Sequence, residues 1–105
     1  MVKEISPEQA ATLMGTGAML VDIREETERA DGIVPGARHA PLSELDRADL
    51  GADAQQPVIF HCRTGRRTAA NAGQLERKAG VDEVYIVAGG LDAWRTAGLP
   101  IGRPS

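Results

Sequence analysis

The hydrophobic and polar positions along the chain alternate between short apolar runs and amphipathic stretches. Three runs are apolar throughout and too short for helices, which indicates buried strands. These runs are residues 18–23, 57–61 and 84–87. A brief strand is also predicted at residues 38–40. Strands without a polar face are typical of a parallel sheet that is covered on both sides by helices.

Helices are predicted between these strands. The first begins with Ser6 as N-cap, Pro7 at the first helical position and Gln9 closing a capping box, and it ends near Met14. The longest helix is predicted at residues 64–78, where small and apolar residues repeat at helical spacing. The remaining predictions are helices at 25–30 and 91–97, turns at 32–37 and 89–90, a helical turn after Ser43 and a surface loop at 49–57. The alternation predicts an α/β domain of three α/β/α layers.

Composition and charge narrow the possible functions. A chain of 105 residues is the size of one domain, so residues 1–105 are predicted to form a single unit. The net charge of −3 argues against nucleic-acid binding, and the sequence has no apolar run of about 18 residues for a membrane span. The N-terminus lacks the apolar region of a signal peptide, and a single cysteine cannot form an internal disulfide, so a cytoplasmic protein is expected. One cysteine and two histidines also make a structural zinc site improbable, and no metal is expected.

The candidate chemistry lies in the stretch VIFHCRTGRRT at residues 58–68. Cys62, the only cysteine, follows a buried strand and precedes Gly65 and three arginines. A loop that curls before a helix turns its amide groups inward, and together with the helix dipole and the arginines it favours a thiolate over a thiol. Parallel sheets place their sites beyond the carboxyl ends of the strands. Asp22 ends another strand there, so the two ends are close if their strands are neighbours.

Four segments in order resemble the rhodanese family, over nearly the whole chain. They are VDIRE at 21–25, VPGA at 34–37 with APL at 40–42, CRTGRR at 62–67, and GGLDAW at 89–94 with AGLP at 97–100. The resemblance implies a rhodanese-like fold with a five-stranded parallel sheet and transfer of sulfane sulfur through a cysteine persulfide. It also implies that no organic cofactor is needed.

The resemblance assigns a role to each candidate site residue. Cys62 is the expected nucleophile, and Asp22 and Arg24 are expected polar supports. The expected substrate-binding loop consists of Arg63, Thr64, Gly65, Arg66 and Arg67. Arg67 closes this loop by matching position, while the individual roles of Arg63 and Arg66 stay open. Trp94 is expected in the core, and His61 and His39 are each expected to make one structural hydrogen bond. The expected partners are a small anionic donor such as thiosulfate and a protein thiol or persulfide.

Two other functions are weighed against sulfur transfer. A phosphatase or arsenate reductase of the related type needs an arginine six positions after the cysteine, where this chain has Thr68, and Arg66 and Arg67 lie four and five positions after it. The shorter spacing favours a single sulfur atom over a phosphoryl group. A non-catalytic binding module of the same fold is the other alternative, and the complete Cys62 loop argues against it.

Overall fold

The computed structural model describes residues 1–104. Five strands and four α-helices alternate with two 3₁₀ helices along the chain. In chain order they are β1 (Val2–Ile5), α1 (Pro7–Gly15), β2 (Met19–Asp22), the first 3₁₀ helix (Glu26–Asp31), β3 (Arg38–His39), the second 3₁₀ helix (Leu42–Arg47), β4 (Val58–His61), α2 (Arg66–Ala70), α3 (Ala72–Ala79), β5 (Val84–Val87) and α4 (Gly90–Thr96). None of the helices in residues 1–104 is long and apolar enough to cross a membrane.

The strands form one parallel sheet in the order β1-β5-β4-β2-β3. This confirms the five-stranded α/β fold expected from the sequence. β2 and β4 are direct neighbours, and their register places Asp22 opposite His61. Because Cys62 follows β4, the thiol and the polar end of β2 lie at the same edge of the sheet. The sequence leaves open whether these two strands are neighbours, and the structure shows that they are.

Side chains alternate along the strands and build a core on each face of the sheet. Leu20 and Ile59 belong to the core beneath α1 and α4, which also contains Trp94 as expected. Val21 and Phe60 belong to the opposite core, together with residues of the second 3₁₀ helix and α3. Since successive residues of a strand point to opposite faces, the apolar residues of β2 and β4 need helices on both sides, and the structure has three layers.

The prediction of one continuous helix at residues 64–78 is wrong, because the structure has two helices there. The helical segment begins at Arg66 and is divided at Asn71, whose backbone leaves helical geometry with φ −115° and ψ 19°. The Asn71 side chain donates to the carbonyl of Arg67 at 2.8 Å, and such local side-chain bonds compete with a continuous helix. The break gives α2 only five residues, so its first turn is directed by the loop that precedes it.

Three other elements differ from the sequence prediction. Strand β1 is absent from it, because Val2–Ile5 has two charged residues in four and looks like a polar terminus. As an edge strand that pairs only with β5, β1 tolerates this exposure. The segments near residues 25–30 and after Ser43 form 3₁₀ helices. The Ser6–Gln9 capping box of α1 is present as expected.

Candidate active site

Cys62 lies at the carboxyl end of β4, at the start of a tight loop over residues 62–65 that leads into α2. Its side chain is buried, with 1% of its surface exposed. Gly65 has a φ of +89°, which turns its N–H back to donate to the Cys62 Sγ at 3.1 Å. A Cβ on Gly65 would also lie 3.0 Å from the backbone nitrogen of Gly89. Glycine is therefore required at this position by both conformation and space.

Thr68 is the second group that faces the sulfur, and the sequence does not single it out as a site residue. Its side chain is fully buried, and its Oγ1 lies 3.8 Å from the Cys62 Sγ. The same hydroxyl lies 3.1 Å from the carbonyl oxygen of Gly65, and its single proton turns to the sulfur when Cys62 is a thiolate and to this carbonyl otherwise. A buried threonine in the first turn of a helix that follows a reactive cysteine is the signal that could have identified it.

The balance of these contacts lowers the pKa of the Cys62 thiol. Burial acts in the opposite direction and is the largest single effect, since it disfavours the charged thiolate. The backbone amides of Thr68, Gly65 and Arg67, together with the Thr68 hydroxyl, outweigh it. The sequence predicts a lowered pKa from amides, helix dipole and arginines acting together. In the structure, the backbone amides and the Thr68 hydroxyl supply the largest stabilisation of the thiolate.

The carbonyl groups of the loop point away from the sulfur and towards the start of α4. The N–H of Leu91 donates to the carbonyl of Cys62 at 2.9 Å, and the N–H of Asp92 donates to that of Arg63 at 3.0 Å. A Cβ on Gly90 would lie 2.6 Å from the Cys62 carbonyl oxygen. The glycine pair, which the sequence predicts only as a turn, thus lets α4 approach closely enough to orient the peptide groups of the loop.

The three arginines of the loop have different surroundings. Arg67 forms two hydrogen bonds to the carboxylate of Glu28, at 2.6 and 2.7 Å. The Arg63 Nε lies 3.8 Å from an Asp92 oxygen, with both side chains exposed. Arg66 and Thr64 are exposed at the surface of the loop. Glu28 is a site neighbour that the sequence does not reveal, because it lies 39 positions before Arg67.

Asp22 and Arg24, the predicted supports, form a buried ion pair at the end of β2. Arg24 is completely buried and bonds Asp22 through Nε at 3.1 Å and through Nη2 at 3.0 Å. It also donates to the carbonyl of Gly32 at 2.7 Å, so the pair anchors the segment after β2. Burial raises the pKa of Asp22, but the hydrogen bond and charge of Arg24 and the nearby His61 lower it on balance.

His61 lies between this ion pair and the cysteine. Its Nδ1 is 3.0 Å from the carbonyl oxygen of Cys62, which is the single structural hydrogen bond expected from the sequence. Its Nε2 has no hydrogen-bond partner and lies 3.8 Å from Asp22 Oδ2. Burial lowers the pKa of this imidazole. His61 is therefore neutral near pH 7, with its proton on Nδ1, since a carbonyl oxygen can only accept.

Together these features define an α/β domain with a buried cysteine whose thiol pKa is lowered by the amides of the loop that follows it. The model of the rhodanese-like domain family matches residues 6–97. The chain belongs to this family.

Among curated proteins, the chain is similar to thiosulfate sulfurtransferase GlpE of Stutzerimonas stutzeri, with 37% identity over 89% of this chain and 84% of that protein. It is also similar to the protein of that name from Haemophilus influenzae, with 35% identity over 94% of this chain and 93% of that one. Among solved structures, a rhodanese-related protein from Thermoplasma volcanium superposes with a TM-score of 0.82 at 22% identity, over 97% of this chain and 99% of that one. The similarity to the Thermoplasma volcanium structure supports the fold of this chain.

Proposed function

We propose that this protein is a sulfurtransferase that moves sulfane sulfur from thiosulfate or a related donor to a thiol or cyanide. The observation that carries the proposal is the Gly65 N–H donated to the Cys62 Sγ at 3.1 Å, in a loop that favours the thiolate. A thiolate is the nucleophilic form of cysteine. The relatives named thiosulfate sulfurtransferase, similar over most of their length, support the same reaction.

The proposed reaction has two steps that share Cys62 as a covalent carrier. The thiolate attacks the outer sulfur of thiosulfate, a new S–S bond forms, and the old S–S bond breaks with its electron pair leaving on sulfite. The outer sulfur of the resulting persulfide carries the negative charge, and we expect the amides of Gly65, Arg67 and Thr68, which lower the pKa of the Cys62 thiol, to stabilise it as well. A thiolate or cyanide acceptor then attacks this outer sulfur, and its departure from Cys62 regenerates the thiolate.

The surroundings of the loop fit this reaction better than phosphate transfer. The position six residues after Cys62 holds Thr68, which is buried and uncharged. A phosphoryl group needs positive charge around three equatorial oxygens. The neutral groups that face the Cys62 sulfur, the Gly65 amide and the Thr68 hydroxyl, suit a single sulfur atom better. A reducing, cytoplasmic setting is part of the proposal, because a lone thiolate is protected from oxidation there.

The test is the intact mass of the protein after incubation with thiosulfate. We expect a gain of about 32 Da, the mass of one sulfur atom, that cyanide removes. Cys62→Ser should show neither this gain nor formation of thiocyanate, because the hydroxyl has no accessible anionic form at neutral pH. The far-UV spectrum of the variant should match that of the wild type. Sulfur transfer retained by Cys62→Ser would contradict the mechanism.

A further inference from the structure

The ion pair between Glu28 and Arg67 lies beside the cysteine loop, and the proposed reaction assigns no role to Glu28. The two side chains meet in a bidentate arrangement at 2.6 and 2.7 Å. Glu28 is held from its own side by the N–H of Glu25, which donates to it at 3.0 Å. The Glu28 and Arg67 side chains are 28% and 35% exposed, so a donor that approaches the loop from solvent can reach both.

The carboxylate of Glu28 neutralises Arg67, an arginine whose charge also interacts with the Cys62 thiolate. The pKa of Arg67 is raised first by its hydrogen bond to Glu28, and also by the charge of the Cys62 thiolate. Arg67 lies in the first turn of α2, directly after the cysteine loop, and its backbone N–H also interacts with the Cys62 sulfur. Arg63 faces Asp92. Among the residues that the structure describes, Arg66 is the loop arginine with no carboxylate within 4.0 Å.

The contacts to the sulfur itself come from neutral groups. The amides of Gly65, Thr68 and Arg67 are the main groups that stabilise one negative charge at the Cys62 sulfur. A donor whose reacting end carries one negative charge matches this arrangement. A dianion brings a second charge that Arg67 cannot balance while it is bound to Glu28, and that charge is repelled by Glu28.

We propose that Glu28 is a specificity-determining residue for the sulfur donor. Because it is paired with Arg67, the site favours singly charged donors, such as the persulfide of a thiol, over dianionic donors such as thiosulfate. This inference rests on the proposed sulfur transfer and names the donor class that the site prefers. Glu28 acts through Arg67 and has no part in bond making. Its removal therefore increases the use of dianions, whereas the loss of a merely structural contact would decrease the use of every donor.

The test compares two donors that transfer sulfur across the same type of bond. Thiosulfate carries two negative charges, and methanethiosulfonate carries one. In each, the outer sulfur is transferred to the Cys62 thiolate while the S–S bond electrons leave on sulfite or methanesulfinate. In Glu28→Gln we expect kcat/KM for thiosulfate to rise about two- to fivefold relative to that for methanethiosulfonate, in the range of one partly exposed charge pair.

Two further variants make the result specific. Glu26→Gln removes the same charge from the same 3₁₀ helix, but Glu26 contacts Arg29 and His39, so the ratio for the two donors should stay unchanged. Arg67→Ala leaves Glu28 without its partner and should lower the ratio. Shifts in opposite directions cannot come from a shared folding defect.

The inference is overturned if Glu28→Gln leaves the ratio unchanged or lowers it, or if Glu26→Gln raises it equally. Failure of the proposed function looks different, because the wild-type protein would then accept sulfur from neither donor and gain no mass.

Discussion

At the scale of single residues, the lowered pKa of the Cys62 thiol depends on a few neighbours, not all of which stand out in the sequence. A buried thiol is ordinarily inert, since burial raises its pKa. Here the backbone amides of Thr68 and Gly65, together with the Thr68 hydroxyl, reverse that effect. The sequence predicts Cys62 and Gly65 from their spacing. It does not reveal Thr68, because its orientation depends on where α2 begins.

Replacement of Thr68 by valine should raise the pKa of Cys62 while the packing is kept, since valine has nearly the same shape. One lost hydrogen bond of about 0.5–1.5 kcal/mol corresponds to roughly 0.4 to 1 pH unit. The measurement is the rate of alkylation by iodoacetamide as a function of pH, whose midpoint reports the thiolate. Thr64→Val, at an exposed position of the same loop, is the matched control. An equal midpoint in Thr68→Val and the wild type would mean that the hydroxyl does not stabilise the thiolate.

At the scale of elements, the loop is shaped by α4 as much as by α2. The first N–H groups of α4 bind the carbonyls of Cys62 and Arg63, so that the amides on the other side of the loop face the sulfur. The sequence predicts both helices and the glycine pair between β5 and α4. Contact between α4 and the cysteine loop could not be predicted, because the two segments are nearly 30 positions apart. Likewise, the division at Asn71 depends on one side-chain bond to Arg67.

Gly90→Ala should disrupt this contact. The new Cβ would lie 2.6 Å from the Cys62 carbonyl oxygen and 2.7 Å from the Arg63 carbonyl, so the backbone must move. We expect a loss of stability above about 2 kcal/mol and at least a tenfold slower formation of the persulfide.

Gly98→Ala is the control for Gly90→Ala at the other end of α4. It also has a positive φ, +76°, but a Cβ there meets nothing within 4 Å. It should lose only about 1–2 kcal/mol, from backbone strain, and keep its activity. Urea unfolding and the rate of persulfide formation measure both effects. Equal losses in the two variants would show that strain, and not the contact with the loop, is what matters.

At the scale of the whole molecule, the site is formed by segments distant in sequence that meet at one edge of the sheet. Strand order places Asp22 beside His61, and the Glu28–Arg67 pair joins the first 3₁₀ helix to α2. The alternation of apolar runs predicts a parallel sheet, but the order of its strands is not encoded in any local pattern. The resemblance in four separate segments implies a five-stranded parallel sheet and a cysteine loop, but it assigns nothing to Glu28, which explains why the fold and the loop could be predicted while Glu28 could not.

The Glu28–Arg67 pair should also make part of the stability depend on pH. The hydrogen bond from Arg67 is the main reason that the pKa of Glu28 is lowered from 4.5 to about 2. Partial burial opposes this shift, and the Glu25 amide and the positive charges of Arg67 and Arg24 add to it. A carboxyl whose pKa is lower in the folded state stabilises the fold above its unfolded pKa and loses this effect as the pH falls. Glu28→Gln should therefore be less stable than the wild type at pH 7, by about 1 kcal/mol for a partly exposed pair. The difference should shrink between pH 4.5 and 2, as measured by urea unfolding at each pH. If the difference in free energy of unfolding stays constant across this range, the charge of Glu28 does not stabilise the contact between the first 3₁₀ helix and α2.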